Sequence, residues 1–472
     1  MGHKSVQKMM SFFPVMVFHV LMVLFLFSET LFSGSPGSMP DSVSSGLSIS
    51  VFDIDATPPV GSHMAYNPVK NTWELGLRAR GIVLTGAGKP VVLCSVDWIG
   101  IGNDSYDEFR RVLSEAAGTT PERVAVHTIH QHDAPICDFG AEKFLLAKGL
   151  NPMSFESTFT RKIMNQMADA IRAALTEQQS VTHVGMGKAP AYMVASNRRI
   201  AGPDGKIRAT RYTTTKDSAL RAEPEGLIDP DVSVISFWNG DKPLAVLSYY
   251  AVHPQSYYMT GLPNPDFPGI ARFYRQLAVP DALHIHFNGA GGNLGAGKYN
   301  DGSKENRSIL ADRLADGMKR AWEATKKETV SSESVSWAVE PVSLPPAKFP
   351  ETFDEDIKVK GGDAIFLTNT IPKIMWLDRC RQGKKIDIGC LSVGSARILH
   401  LPGELMVEFQ LSAKAERPDL FVAMAAYGDY GPEYICTDAA YEEGGYEASG
   451  ASGVAPGSEK VVMTAIKKLL RR

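Results

Sequence analysis

The chain is short of cysteine. It has five in 472 residues, none of them in a CxxC pair. That excludes a disulfide-stapled scaffold and a cysteine-based zinc knuckle; Cys380 and Cys390 are the one pair spaced to bridge in an oxidising compartment. Net charge is also scarce. Forty-nine Lys and Arg stand against 52 Asp and Glu, a formal −3, and no basic run is interleaved with aromatics, so nucleic acid is not an expected partner. The basic C-terminal IKKLLRR reads as one solvated helix face. No internal repeat is legible.

Long apolar runs are absent except at the start, where SFFPVMVFHVLMVLFLF covers Ser11 to Phe27 behind Lys4 and Lys8. A basic stretch followed by such a run reads as an export signal, so residues 1–40 are set apart from the fold. The run is slightly long for a cleaved signal and slightly short for a spanning helix. The protein is therefore expected to be exported: periplasmic, secreted, or attached to a membrane by its N-terminus.

From about Leu47 the chain alternates strand and helix signals. KPVVLCSVDWIG, PERVAVHT, VSVISFW, LAVLSYYAVH, ALHIHFNG and SARILHLPGEL are short apolar runs ending in polar residues, the mark of buried strands opening into loops. DSYDEFRRVLSEAAG and SFESTFTRKIMNQMADAIRAALTEQQ carry helical spacing. This predicts an α/β (mixed α+β) fold with one large catalytic domain over 47–472. The Pro- and Lys-rich stretch 328–383 reads as an insertion.

The chemistry-bearing residues sit where apolar strands give way to turns, which is where open α/β sheets place their sites. VAVHTIHQHDAPICD, Val124 to Asp138, holds three histidines in six residues. In extended chain His130 and His132 share a face and His127 does not, so an HxH metal site is expected with His127 structural. Neutral imidazole suits zinc. His253 in AVHPQ and Glu404 in LPGEL occupy similar strand ends, and Tyr434, Tyr441 and Tyr446 lie in an acidic, Gly-rich loop. Two other patterns fail: GNLGAGKY puts Tyr299 where a phosphate loop needs Ser or Thr, and HQHDA has Ala134 where a binuclear hydrolase needs histidine.

The ordered set DIDATPPVG, SVDWIG, IHQHDAP, SNRR, AVHPQS, PDFPG, NGAGGNLG, LPGE and EYICTDAAYEEGGYEA resembles the N-terminal catalytic domain of the neutral/alkaline non-lysosomal ceramidases, which are zinc amidases. The resemblance runs from about Ser48 to Ser449. It implies zinc held by His130, His253, Glu404 and Tyr434, and His132 beside it in the active site. Asp133 stands where the family has serine; either His132 or Asp133 is expected to act as general base or acid. Arg198 matches a substrate-contacting arginine and Tyr446 a second active-site tyrosine.

The expected function is hydrolysis of an amide (N-acyl) bond in a small or lipid-like substrate by zinc-activated water. Gly295 replaces the serine that faces the scissile amide in the family, and the loop Gly289 to Gly297 would offer backbone N–H donors instead. A counterpart of the family's C-terminal immunoglobulin-like domain is not expected from this sequence. The rival expectation, favoured by Gly295, is a non-catalytic metal- or ligand-binding relative.

Overall fold

The computed structural model of the protein describes residues 46–471, apart from residue 74 and residues 349–352; residues 1–40, where an export signal is expected, lie outside them. Among the described residues no helix is long and apolar enough to cross a membrane.

Three sheets carry the fold, and they are built alike. In the first, Ser48–Asp55, Arg78–Thr85 and Val91–Val96 pair antiparallel in succession. The helix Asp104–Ala117 then returns the chain so that Val124–Thr128 lies parallel to Val91–Val96. The second sheet repeats this with His183–Pro190, Asp231–Asn239, Lys242–Tyr250, the helix Asp266–Ala278 and the parallel strand Leu283–Asn288. The third does so with Val335–Val342, Ile386–Val393, Ala396–His400, the helix Val407–Glu416 and Phe421–Ala425. A second helix follows each fourth strand: Thr158–Ala174, Glu305–Glu323 and Ser458–Leu470.

The molecule therefore has an internal repeat of structure where none is legible in sequence. The parallel pair forces a helical crossover in each unit. Only backbone connectivity is shared, however, and the loops between equivalent strands differ too much in length to leave a period.

One core joins the sheets. Ile82 and Leu93 of the first, Ile235 and Leu247 of the second, and Leu391 and Ile398 of the third belong to a single buried cluster. Each sheet's other face is covered by its own helices through a separate apolar cluster. Strands buried on both faces have no polar side to alternate with, which is why VVLCSV is apolar almost throughout and wholly buried.

The parallel edge strands of the three units meet at their C-terminal ends. Thr128 N donates to Tyr427 O (3.0 Å) and Ala426 N donates to Asn288 O (2.9 Å). His127 closes this junction: Nδ1 lies 2.7 Å from Ala426 O and Nε2 lies 2.9 Å from His400 Nδ1. It is structural, as the strand parity predicts.

The stretch 328–383 is only partly an excursion. Val335–Val342 opens the third sheet, so the departure from the sheet lies between it and Ile386, where the helices Phe353–Lys360 and Ala364–Arg381 stand. All five cysteines are free, so the Cys380–Cys390 pairing does not occur. Cys390 is buried in its strand.

Candidate metal centre and its cavity

Each unit sends one strand end to the same place. His130 lies two residues beyond Val124–Thr128, His253 three beyond Lys242–Tyr250 and Glu404 four beyond Ala396–His400. His130 is held at φ 67°, a left-handed conformation that costs a non-glycine residue free energy and is seen where function requires it. Its amide donates to Trp98 O (3.0 Å), and its ring stacks on Tyr427 with centroids 4.5 Å apart. Glu404 forms a short parallel bridge with Tyr434, which ties the third-unit loop to the last loop of the site.

His130 Nδ1 lies 2.6 Å from Ile99 O, so that nitrogen carries the hydrogen and Nε2 keeps its lone pair. That lone pair stands 3.3 Å from Glu404 Oε2, and His253 Nδ1 stands 3.6 Å from the same oxygen. None of the three atoms has a hydrogen-bond partner, although all are buried. Orphaned buried polar atoms are rare and costly, and two imidazole nitrogens converging on a carboxylate oxygen are residue types suited to a divalent cation. His130, His132 and His253 also each present a ligand atom within 4.8 Å of one another, a group that could hold a metal ion.

Electrostatics around this point are tightly set. Burial pushes the Glu404 carboxyl upward, but His130, Arg198 and the Tyr430 hydroxyl together hold it below its usual range. Tyr430 Oη donates to Glu404 Oε1 at 3.0 Å. Burial lowers the basicity of His132 and His253, and the neighbouring imidazoles and Arg198 lower it further. His132 Nε2 lies 2.9 Å from His253 Nε2, and His132 Nδ1 lies 3.3 Å from the Gln255 carboxamide. Tyr66 stacks on the His132 ring.

Arg198 and Tyr446 also reach the site. The Arg198 guanidinium is buried; Nη2 donates to the Tyr434 hydroxyl (3.1 Å) and to Gly292 O, and pairs with Glu447 Oε1 at 3.1 Å. The Tyr446 ring meets Tyr434 edge-on, 5.7 Å between centroids, and burial pushes its phenol up to about 12. A cavity of 290 Å³ opens beside these groups, lined by His130, His132, His253, Glu404, Tyr434 and Tyr446 among others.

Two expected roles are not met. Asp133 does not face the cavity: its carboxylate accepts from Thr260 N (3.1 Å) and Thr260 Oγ1 (2.7 Å), with Arg307 at 4.0 Å. It anchors a loop: residues 132–134 form a bend beyond the strand end, and the carboxylate there meets Thr260. Four N–H groups of the glycine loop are already taken and do not face an oxyanion. The N–H groups of Gly289, Ala290, Gly292 and Leu294 are bonded to Tyr250, Gln410, Leu405 and Gly291 respectively. Its glycines serve close approach: a Cβ on Gly292 would stand 2.5 Å from Glu404 O.

At Gly295 a Cβ would stand 2.8 Å from Thr213 Cγ2 and 3.4 Å from Arg198 Cδ. The space a serine side chain would need is filled by those two residues.

Several cavity residues were not legible in sequence. Tyr430 lies in the same GDYGPEY loop as Tyr434 and was within reach of the pattern. Lys373 and Glu433 were not, since each looks like an ordinary charged residue in a helix or loop. Pro372 inside the helix Ala364–Arg381 was the available signal there, because an interior proline marks a helix shaped for a purpose.

No family model and no curated protein matches the chain. Solved structures do. One described as "Ceramidase complexed with C2" and one of neutral ceramidase from Pseudomonas aeruginosa each align with 16% identity and a TM-score of 0.65, covering 90% of this chain and 75% of the other. At that identity the likeness is one of architecture, and the chain has the mixed α/β fold of neutral ceramidase.

Proposed function

We propose that the protein is an exported, zinc-dependent hydrolase that cleaves an amide bond in an N-acyl substrate. The observation that carries this reading is the convergence of His130 Nε2, His253 Nδ1 and Glu404 Oε2, all buried and unpartnered. Tyr434, paired through its backbone with Glu404, is the fourth ligand in this reading. A zinc ion held there would polarise the scissile carbonyl and make a water nucleophilic near neutral pH.

The chain's own residues do the rest. Gln255 beside Nδ1 and His253 beside Nε2 hold the His132 ring in place, and in this reading its imidazole passes the proton from the attacking water to the departing amine. Tyr446, whose phenol stays protonated, donates a hydrogen bond to the developing oxyanion. Arg198, fixed by Glu447, orients the Tyr434 hydroxyl. Export rests on the N-terminal segment, whose Lys4, Lys8 and apolar run have the order of an export signal.

A non-catalytic binding protein is the second reading, favoured by Gly295. One experiment separates them: metal analysis of the purified protein beside turnover of N-acyl amides of graded chain length. Stoichiometric zinc with turnover supports the hydrolase. Zinc without turnover on any chain length supports the binder, and absence of metal after zinc reconstitution removes the basis of both metal readings.

A further inference from the structure

The cavity wall facing the histidines is polar. Helix Ala364–Arg381 contributes Thr368, Asn369 and Lys373 to it, and the last loop contributes Glu433. Lys373 and Glu433 are 8% and 6% exposed, a buried ion pair with Nζ and Oε2 3.2 Å apart. Lys373 Nζ also donates to Gly450 O at 2.6 Å. An ammonium has three donors, so one N–H of Lys373 is left for a ligand, and Glu433 Oε1 is left as an acceptor. Glu433 is held at φ 50°, the second strained non-glycine residue lining this cavity after His130.

The mouth is different in character. Five of the protein's exposed large apolar residues, Tyr212, Tyr258, Met259, Ile365 and Tyr446, line the adjoining opening. The interior is small, at the bottom of the ~300–1,000 Å³ range of ligand pockets, and offers hydrogen bonds; the rim offers apolar area.

We propose that Lys373 and Glu433 form a head-group subsite that selects an uncharged substrate group able both to donate and to accept a hydrogen bond, a hydroxyl or primary carboxamide, while the substrate's apolar chain stays at the rim. The inference rests on the hydrolase reading only in treating this cavity as the substrate's. With Glu433 ionised beside Lys373 the pair is neutral as a whole, so a carboxylate head would face Glu433 and an ammonium head would face Lys373, each at a desolvation cost that nothing repays. A site built to hydrogen-bond a hydroxyl discriminates against the analogue lacking it, because its buried polar groups are then left unpaired.

The test uses two probe series with hydroxyethyl, ethyl or carboxymethyl on nitrogen: octanamides for turnover and octane-1-sulfonamides, which resist hydrolysis, for calorimetric binding. Wild-type protein should prefer hydroxyethyl to ethyl by about tenfold or more and bind carboxymethyl weakest. Lys373→Met should bring the hydroxyethyl-to-ethyl ratio close to one. Glu433→Gln, which leaves Lys373 uncompensated, should raise carboxymethyl above ethyl, an inversion that no loss of packing produces.

Equal binding of the hydroxyethyl and ethyl sulfonamides by the wild type overturns the subsite. So does a uniform loss across all heads in both variants, which would make the pair a structural tie. Sulfonamide discrimination without octanamide turnover keeps the subsite and sinks the hydrolase; turnover without discrimination does the reverse.

Discussion

His130 Nε2 and Glu404 Oε2 face each other at 3.3 Å in the protein interior, and neither has a hydrogen-bond partner. They come from strand ends of the first and third units, with His253 from the second, so a site built on this contact exists only once all three units have assembled. Purified protein should carry about one zinc per chain, read by mass spectrometry, and His130→Ala with His253→Ala should lose it. Chelation should lower the unfolding midpoint, since a ligand bound only to the native state stabilises it. Tyr434→Phe discriminates within the set: metal affinity drops if the phenol is a ligand and stays unchanged if Tyr434 serves Arg198 alone.

His132 and Asp133, adjacent in sequence, should part company on mutation. His132→Ala is expected to lower kcat by about 10²–10⁴, the usual worth of a general acid–base group. Asp133→Asn should leave kcat within a few-fold of wild type, and should cost about 1–3 kcal/mol in urea unfolding because it weakens the Thr260 contacts. A collapse of kcat in Asp133→Asn with unchanged stability would return Asp133 to the catalytic role.

Gly295→Ser probes the position at which the family resemblance implies a serine. With Thr213 Cγ2 at 2.8 Å from the new Cβ, overpacking should cost about 1–3 kcal/mol. Trimming the neighbour in Gly295→Ser, Thr213→Ser should recover most of it. Thermal denaturation of the three proteins decides; an equally stable Gly295→Ser single variant would mean the loop yields freely.

Buried histidines away from the centre make the fold acid-sensitive. Burial lowers His127 to about 4, and burial with Arg272 or Arg275 nearby lowers His286 and His284 to about 3. Because the unfolded chain binds these protons near pH 6.5 and the folded chain does not, their contribution is complete above pH 6.5. It is lost as pH falls through the window down to about 3–4. Each should add a slope approaching ~1.4 kcal/mol per pH unit there. Urea midpoints at pH 7, 5.5 and 4.5 should fall accordingly, and His286→Asn should flatten the trend; an unchanged slope in that variant would show that His286 does not contribute.

The apolar strands, the amphipathic helices and the strand-end positions of His130, His253 and Glu404 were determined by the sequence itself, since local burial and turn chemistry leave a period and a punctuation that can be read directly. The inward, structural role of His127 within its strand could be read in the same way, whereas the left-handed turn at His130 beyond the strand end could not. The threefold repeat of the sheets left no such mark, because backbone pairing tolerates almost any apolar side chain and any loop length. Nor could one-dimensional pattern say that Asp133 would turn to Thr260, that N–H groups of the glycine loop would be taken by Tyr250, Leu405 and Gln410, or that Lys373 and Glu433 would meet in the cavity wall. Those outcomes are set by partners tens to hundreds of residues away along the chain, and only closure of the three units around one core brings such partners within hydrogen-bonding distance.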